Sequence, residues 1–297
     1  MNKVLILNHK IKECGVYQFG KRLGQILVKS KNVEYLYIEI ASSDEIHNLV
    51  ALHQPSHIIF NYVEDQTCKW PHVKSIAIVH NGNPSHFDIY LHQNPDYQQT
   101  GNHWPLARPL FEVPFIPNDL DIINIGSFGF PFKYKYFERI CQLVNDAFDE
   151  KTRVNINFNW SKAKFSNENI DHQILKQECL SKITKNNITL NVTTEFMEDE
   201  ELLLFLGKNN LNIVLYDNFD YYNGISSTID YLLSVRKPIA ISRSNMFSHL
   251  STIKPSICIE DSNLITIMNN GFKPLQHKYE EWSNANLIKG VDAIVNR

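Results

Sequence analysis

Short apolar runs alternate along the chain with longer segments in which apolar residues recur every three or four positions. The short runs are typical of buried strands, and the longer pattern is typical of amphipathic helices. In the first half, the predicted strands are residues 3–7, 33–40, 57–61 and 75–79, and the predicted helices are 16–28 and 43–52. This alternation predicts a doubly wound α/β fold, which is a parallel sheet with helices on both faces.

The alternation stops at residues 94–118, where five prolines fall in irregular sequence, and this composition predicts a linker. It resumes with predicted strands at 122–125, 154–158, 188–192, 211–216 and 239–242, and with predicted helices at 135–148, 172–183, 199–207 and 227–235. A final stretch from 276 is helical and polar on one face. Two doubly wound domains that face each other would form a cleft at the carboxyl ends of their strands, where ligands bind in such sheets.

The composition limits the kinds of molecule that the chain is expected to bind and the compartment in which it is expected to work. A net charge of −3 over 297 residues provides no overall basic field for nucleic acid or an acidic membrane. Five scattered cysteines, with no Cys-x-x-Cys pair, favour reduced thiols in the cytoplasm over a disulfide framework or a zinc cluster. The apolar run near the start is too short for a signal peptide or a membrane span. We expect a cytoplasmic protein without a transmembrane segment, and the sequence carries no signal for its oligomeric state.

Two loops of the first domain are expected at the cleft. In "KECGVYQFGKRL", Gly15 and Gly20 do not have the Gly-x-Gly-x-x-Gly order of a dinucleotide site, so a hydride-transfer enzyme is disfavoured. The loop either approaches a ligand through its backbone or is a plain turn. His80 directly follows a predicted strand, where it could donate to a phosphate or sugar hydroxyl or act as a base. The alternative for His80 is a capping or core-edge residue.

A third loop is expected in "IGSFGFPFKYKYFERI". There Gly126 and Gly129 would let the backbone come close to a ligand. Lys133 and Lys135 are predicted to open the next helix, where the helix dipole disfavours cations by about 0.3–1 kcal/mol. A bound diphosphate would reverse the sign of that effect. The alternative is that both lysines only solvate a loop.

The fourth loop is expected in "NGISSTIDYLLSVRKPIAIS", where Gly224, Ser226 and Ser227 precede a predicted helix. Free backbone N–H groups and the positive end of the helix dipole receive phosphates at such a place. The serines could instead be a plain N-cap pair. Asp230 lies one turn into the helix and could bind a ribose hydroxyl, or it could simply complement the dipole.

These segments resemble, in order, elements of the large retaining family of GT-B glycosyltransferases that use nucleotide-diphosphate sugars, the family 4-like enzymes. "CGVYQFGKRLGQIL" resembles the glycine-rich first loop and helix, and the last two quoted stretches resemble the donor-binding elements. The resemblance implies two Rossmann-like domains facing a cleft. Residues 1–118 would bind the acceptor, residues 119–275 would bind the donor, and the helix within 276–297 would pack back on the first domain.

The resemblance also assigns roles to residues. It implies that His80 lies beside the donor sugar and that Lys135 contacts the donor diphosphate, and we take these two as the catalytic candidates. The other expected donor contacts are Gly15, Val16, Gly126, Ser127, Lys133, Asn223, Gly224, Ile225, Ser226, Ser227 and Asp230. The two glutamates of the family element fall on Asn223 and Tyr231 in this chain.

The expected function is transfer of a sugar, with retention of configuration, from a UDP- or GDP-sugar to a saccharide acceptor of a cell-surface glycan. The lysines and the Ser226 helix start would neutralise the leaving diphosphate, so neither a metal nor a cofactor is expected. Two alternatives stay open: a viral sugar transferase that acts on modified DNA bases, and a nucleotide-sugar-binding protein without activity. A nucleotide-sugar epimerase would need paired carboxylates around the cleft, and no convincing pair is present.

Overall fold

Two parallel sheets organise the chain, each in a unit of its own. A computed structural model describes residues 2–12, 14–61, 69–82, 84–118, 121–162, 167, 169–218 and 224–297. The N-terminal unit comprises Met1–Leu110, Tyr222–Ser227 and Glu280–Arg297, and the C-terminal unit comprises Phe111–Tyr221 and Thr228–Tyr279. Each unit therefore combines stretches that are far apart in sequence.

The sheet of the N-terminal unit has six parallel strands in the order β2-β1-β3-β4-β5-β6. The strands are β1 (Asn2–Asn8), β2 (Val33–Glu39), β3 (His57–Phe60), β4 (Lys74–Val79), β5 (Ile89–His92) and β6 (His103–Pro105). The first two helices are α1 (Gly15–Leu27) and α2 (Glu45–His53). The run of buried apolar residues in β1 arises because both faces of this sheet are covered.

Alternate residues of β1 pack in different cores, because successive side chains of a strand point to opposite faces of the sheet. Val4 and Ile6 pack in the core that contains α1, whereas Leu5 and Leu7 pack with Ile46 of α2 on the opposite face. The last helix of the chain, Asn284–Val295, contributes its apolar residues to the α1 side. One hydrophobic run therefore supplies two cores.

The sheet of the C-terminal unit has five parallel strands in the order β11-β10-β7-β8-β9. These are β7 (Ile123–Phe128), β8 (Val154–Asn159), β9 (Ile188–Thr193), β10 (Leu211–Val214) and β11 (Ile239–Ile241). The helices, continued to the end of the chain, are α3 (Phe137–Ala147), α4 (His172–Ser181), α5 (Asp199–Gly207), α6 (Thr228–Ser234), α7 (Leu264–Asn270), α8 (Gln276–Glu281) and α9 (Asn284–Val295). Helices α3 and α4 pack together over Ile125 and Ile156.

The predicted doubly wound α/β class is confirmed by both sheets. The predicted helix at 199–207 coincides with α5, whose start carries a capping box between Glu198 and Glu201. Strand β5 was not predicted, and β6 lies inside the segment predicted as a linker. Both strands are short, and β6 ends in a proline at the edge of its sheet, where a missing N–H is tolerated.

The last part of the predicted linker, residues 111–118, is held on the C-terminal unit by side chains at and just after the end of α6. Ser234 Oγ accepts from the backbone of this segment, and the side chains of Arg236 and Lys237 donate to its carbonyl oxygens. Lys237 Nζ lies 2.5 Å from the carbonyl oxygen of Ile116, and burial lowers the pKa of Lys237. Arg236 and Lys237, just after α6, therefore hold this segment in place.

Two glycines provide a matched test of the packing. An added Cβ at Gly290, within α9, would meet no atom within 4 Å, whereas one at Gly126, on β7, would lie 1.9 Å from Asn209 Nδ2. Because alanine is the better helix former, Gly290→Ala should raise the free energy of unfolding by about 0.5–1 kcal/mol. Gly126→Ala should lower it by about 1–3 kcal/mol through overpacking. Urea denaturation measures both, and effects of the same sign would contradict this account.

Candidate functional site

Polar side chains stand at the carboxyl ends of five adjacent strands of the N-terminal sheet. In the order β2-β1-β3-β4-β5 they are Glu39, Asn8, Asn61, His80 and Gln93. Parallel pairing places all these ends at one edge of the sheet, which is the edge where ligands bind in open α/β folds. The row therefore defines the candidate site of this unit.

Hydrogen bonds join the first part of the row. Glu39 Oε1 accepts from the hydroxyl of Tyr17 at 2.6 Å and from that of Tyr37 at 3.2 Å. Asn8 Nδ2 donates to the hydroxyl oxygen of Tyr37 at 2.9 Å, and Asn61 Nδ2 donates to Asn8 Oδ1 at 2.8 Å. The carboxylate of Glu39 is thereby linked to the middle of the sheet.

His80 connects the two halves of the row. Its Nε2 lies 2.9 Å from Asn61 Oδ1, and its Nδ1 lies 3.2 Å from Gln93 Oε1. Asn61 uses its amide nitrogen on Asn8 and on the carbonyl of Val16, so its oxygen faces the histidine and we assign the ring proton to Nε2. Gln93 Nε2 in turn donates to the carbonyl oxygen of His80 at 2.6 Å. Ring and backbone of His80 are therefore both fixed.

Burial, together with the positive charge of Arg108, lowers the pKa of His80 to about 4. The guanidinium of Arg108 is fully buried, donates to the carbonyl oxygen of Gln93 at 2.9 Å and lies 4.8 Å from the centre of the Phe19 ring. His80 is accordingly neutral at pH 7, with both ring nitrogens next to side-chain oxygens. This geometry favours a hydrogen-bonding role for His80 over proton abstraction.

Other expected donor contacts lie in the same unit. Gly15 is exposed at the start of α1, and an added Cβ there would lie 3.1 Å from Ser227 Oγ. Val16 is half-buried, and its carbonyl oxygen accepts from Asn61. Three further expected contacts, Gly224, Ile225 and Ser226, are buried. The expected contact Asn223 lies outside the described residues.

In the C-terminal unit, the chain leaves β7 through Gly129, whose φ of 129° favours glycine, and enters a 3-10 helix at Lys133–Lys135. The ammonium of Lys135 lies 5.4 Å from the ring centre of Phe130 and 5.2 Å from that of Tyr216. An added Cβ at Gly129 would lie 2.4 Å from Lys135 Nζ. Glycine at 129 therefore also makes room for the ammonium.

Lys135 is 8% exposed, and its ammonium has no hydrogen bond or ion pair among the described residues. Cation–π contacts contribute about 0.5–2 kcal/mol each but leave the N–H donors unused. A lysine that is buried, charged and without an acceptor is suited to bind an anion. This is the clearest sign of a ligand in the C-terminal unit.

Two expectations about this loop are corrected. Gly126 and Ser127 do not lie in a loop but on β7, where the side chains of Asn209 and Asn212 occupy the space beside Gly126. Lys135 does not open the next helix, because Tyr136 has a left-handed backbone (φ 49°) and α3 begins only at Phe137. The expected effect of the helix dipole on these lysines therefore does not apply. The buried position of Lys135 is a stronger argument for a bound anion.

The remaining expected residues differ in exposure. Lys133 is exposed, and Asp230 is fully buried on α6. Tyr231, at a glutamate position of the family element, donates to Asp199 Oδ1 at 2.6 Å. Sequence reasoning missed Asn61, which it placed at the end of a predicted strand, and Gln93, which follows the unpredicted strand β5.

Within the described ranges, no three side chains of His, Cys, Asp or Glu are grouped so as to hold a metal ion. In the same ranges, no helix combines the length and the apolar composition needed to cross a bilayer.

Comparisons with known proteins address the fold. No protein-family model matches the sequence, and no curated protein matches it. Solved structures that match 100% of the chain include the N-terminal domain of trehalose-6-phosphate phosphatase from Candida albicans, trehalose 6-phosphate synthase from Burkholderia multivorans, and an α-glucosyltransferase in complex with UDP and DNA. The phosphatase domain is 10% identical to the chain, is covered over 97% of its own length and has a TM-score of 0.62. The synthase is 8% identical, with 98% of its length covered and a TM-score of 0.60. The α-glucosyltransferase is 10% identical, with 94% of its length covered and a TM-score of 0.57.

These likenesses show that the chain has the GT-B fold of glycosyltransferases, with two Rossmann-like α/β domains. The GT-B resemblance inferred from the sequence motifs is thereby confirmed for the fold. At such low identity the comparisons show the fold alone, so the chemistry depends on the site.

The lowered pKa of His80 predicts a sensitivity to acid. An unfolded histidine titrates near pH 6.5, so the unfolded chain takes up this proton first, and stability is lost as the pH falls from about 6.5 towards 4. Between about pH 7.5 and 5, His80 should account for a loss of about 2 kcal/mol in the free energy of unfolding. His80→Gln, which does not titrate, should lack this part of the loss in urea denaturation.

The control variant is His277→Gln, which removes one exposed histidine. An acid loss in His80→Gln as large as that of the wild type would contradict the assignment of a neutral, buried imidazole.

Proposed function

We propose that the chain is a glycosyltransferase that takes a sugar from a nucleotide-diphosphate sugar. The observation that carries this proposal is the buried residue Lys135, which lies beyond the carboxyl end of β7 and whose ammonium has no acceptor among the described residues. The GT-B fold supports the proposal, because the carboxyl edge of the sheet is where such folds bind nucleotides.

Lys135 is the proposed contact to the diphosphate. Negative charge grows on the diphosphate as its bond to the sugar breaks, and a cation that is already fixed stabilises that charge without reorganisation. The rings of Phe130 and Tyr216 lie within 5.4 Å of the ammonium and help to hold it in place. Lys133, exposed on the same 3-10 helix, is a second proposed contact.

The other donor contacts are proposed from the sequence elements. They are Gly15, Val16, Gly126, Ser127, Asn223, Gly224, Ile225, Ser226, Ser227 and Asp230. Gly15 and Ser227 support this grouping because they are neighbours within the N-terminal unit.

His80 is proposed to lie beside the donor sugar. Because its imidazole is neutral and its Nε2 donates to Asn61 Oδ1, we propose that it fixes the loop after β4 and does not remove a proton. An oxygen of the leaving diphosphate would then accept the proton of the acceptor hydroxyl, as expected for transfer with retention. No metal is needed for this scheme.

UDP-sugars are the first choice of donor, with GDP-sugars second, since one matching α-glucosyltransferase structure contains UDP. The acceptor is proposed to be a saccharide of a cell-surface glycan, bound by the domain at 1–118, with the donor bound by the domain at 119–275. A DNA base is the second candidate acceptor, because the same matching structure contains DNA. The net charge of −3 favours the saccharide.

A cytoplasmic location is part of the proposal. The cysteines at 14, 141, 179 and 258 form no disulfide, which suits a reducing compartment.

A thermal-shift experiment tests the donor site. At about a hundred times the dissociation constant, a ligand stabilises a protein by about 2.7 kcal/mol, so UDP, GDP or one of their sugar conjugates should raise the melting temperature. Lys135→Met keeps the length of the side chain but removes the charge. It should weaken binding by about 10- to 150-fold, as expected for the loss of a charge-assisted hydrogen bond.

Lys151→Met removes a lysine from an exposed turn and serves as the control. Equal binding by both variants, or no binding to the wild type, would contradict the assignment of Lys135. Release of free nucleotide in the presence of saccharide acceptors then distinguishes a transferase from a binding protein without activity.

A further inference from the structure

One face of the C-terminal sheet carries amides where a doubly wound sheet normally has apolar residues. On the face towards α3 and α4, strands β7 to β9 present side chains such as Ile125 and Ile156. On the other face, the alternate positions are asparagines: Asn124 on β7, Asn155 and Asn157 on β8, and Asn191 on β9. We call these four residues the asparagine face.

The asparagine face is ordered by hydrogen bonds between its amides. Asn124 pairs in register with Asn155, and Asn157 pairs with Asn191. Asn191 Nδ2 donates to Asn157 Oδ1 at 3.0 Å, and Asn155 Nδ2 donates to Asn124 Oδ1 at 3.2 Å. The orientation of each amide is therefore fixed before any ligand arrives.

A pocket of about 400 Å³ lies at one end of this face. Its lining combines two residues of the face with others from α5 and the segments beside it: Pro117, Asn124, Asn157, Phe205, Lys208 and Asn209. The volume lies in the range typical of small-molecule sites.

The pocket wall contains a buried and fixed amide. Asn209 is 1% exposed, and its Nδ2 donates to the carbonyl oxygen of Phe205 at 3.2 Å and to Asn212 Oδ1 at 2.9 Å. Asn157 Nδ2 lies 3.3 Å from both Asn209 Oδ1 and Asn124 Oδ1. Three amides thus converge on one pocket.

This pocket lies away from Lys135, the proposed contact to the diphosphate. Asn124 lies near the amino end of β7, and Gly129 follows its carboxyl end. Five residues of extended chain span about 16 Å. The pocket and the loop that carries Lys135 therefore lie towards opposite ends of β7.

The chemistry of the pocket matches an uncharged polyhydroxyl ligand. An amide offers both a donor and an acceptor, and so does each hydroxyl of a sugar. Phe205 and Pro117 supply apolar surface suited to the C–H groups of a sugar ring. The one charged lining residue, Lys208, is exposed at the end of α5, where a cation complements the helix dipole.

We propose that this pocket binds one unit of a neutral saccharide, and that the asparagine face extends the contact along a longer glycan. The proposal does not depend on transferase activity, since it concerns binding towards the end of β7 opposite to Lys135. A soluble neutral oligosaccharide is therefore the appropriate probe.

The test is a titration of the ¹⁵N-labelled chain with maltohexaose, mannohexaose and chitohexaose, followed through the side-chain amide resonances. At about 10 mM, a ligand with a dissociation constant of about 1 mM is largely bound. At least one probe should shift the side-chain amide signals of Asn124, Asn157 and Asn209. No shift of these signals with any of the three would overturn the proposal.

Variants locate the binding. Asn157→Ala should weaken the binding of that probe by about tenfold, as expected for the loss of one hydrogen-bonding group. Asn186→Ala, in an exposed turn before β9, and Lys135→Met, at the proposed donor site, should leave it unchanged. Binding that survives Asn157→Ala but is lost in Lys135→Met would place the sugar in the donor site and overturn the proposal. If Asn157→Ala does not fold, the amide shifts of the wild-type chain alone test the proposal.

Discussion

Parallel strand pairing is the constraint on which both candidate sites depend. It brings the carboxyl ends of all strands of a sheet to one edge, so that the residues following the strands become neighbours although they are far apart in sequence. In the N-terminal unit this places Asn61 between Asn8 and His80, and hydrogen bonds then join the row. In the C-terminal unit the same constraint directs the chain after β7 towards Lys135.

Two buried lysines of the C-terminal unit differ in how their charge is stabilised. Lys237 donates to the carbonyl oxygen of Ile116 and to Asn118, so its hydrogen-bonding capacity is used within the fold. Lys135 is almost as buried, but it contacts aromatic rings and has no oxygen acceptor in the described part of the chain. Because burying an unpaired charge is costly, a bound anion is the simplest compensation. The difference between these two lysines is the physical basis of the functional proposal.

Much of the fold could be predicted from hydrophobic periodicity, because most buried strands and amphipathic helices have distinct periods. The helix at 199–207 is one example. The short edge strand β6 could not be predicted, because edge position and a proline leave little apolar pattern. The place of Gly126 on β7 depends on two distant asparagines, Asn209 and Asn212, which local sequence does not reveal. For the site, the sequence indicated Lys135 and His80, but their burial and partners follow only from tertiary packing.

The central claim is that Lys135 binds the diphosphate of a nucleotide sugar, and a crystal structure with bound UDP tests it most directly. The account predicts a diphosphate oxygen within hydrogen-bonding distance, about 2.7–3.2 Å, of Lys135 Nζ. A well-ordered nucleotide bound elsewhere, with the ammonium of Lys135 still enclosed by aromatic rings alone, would contradict the account.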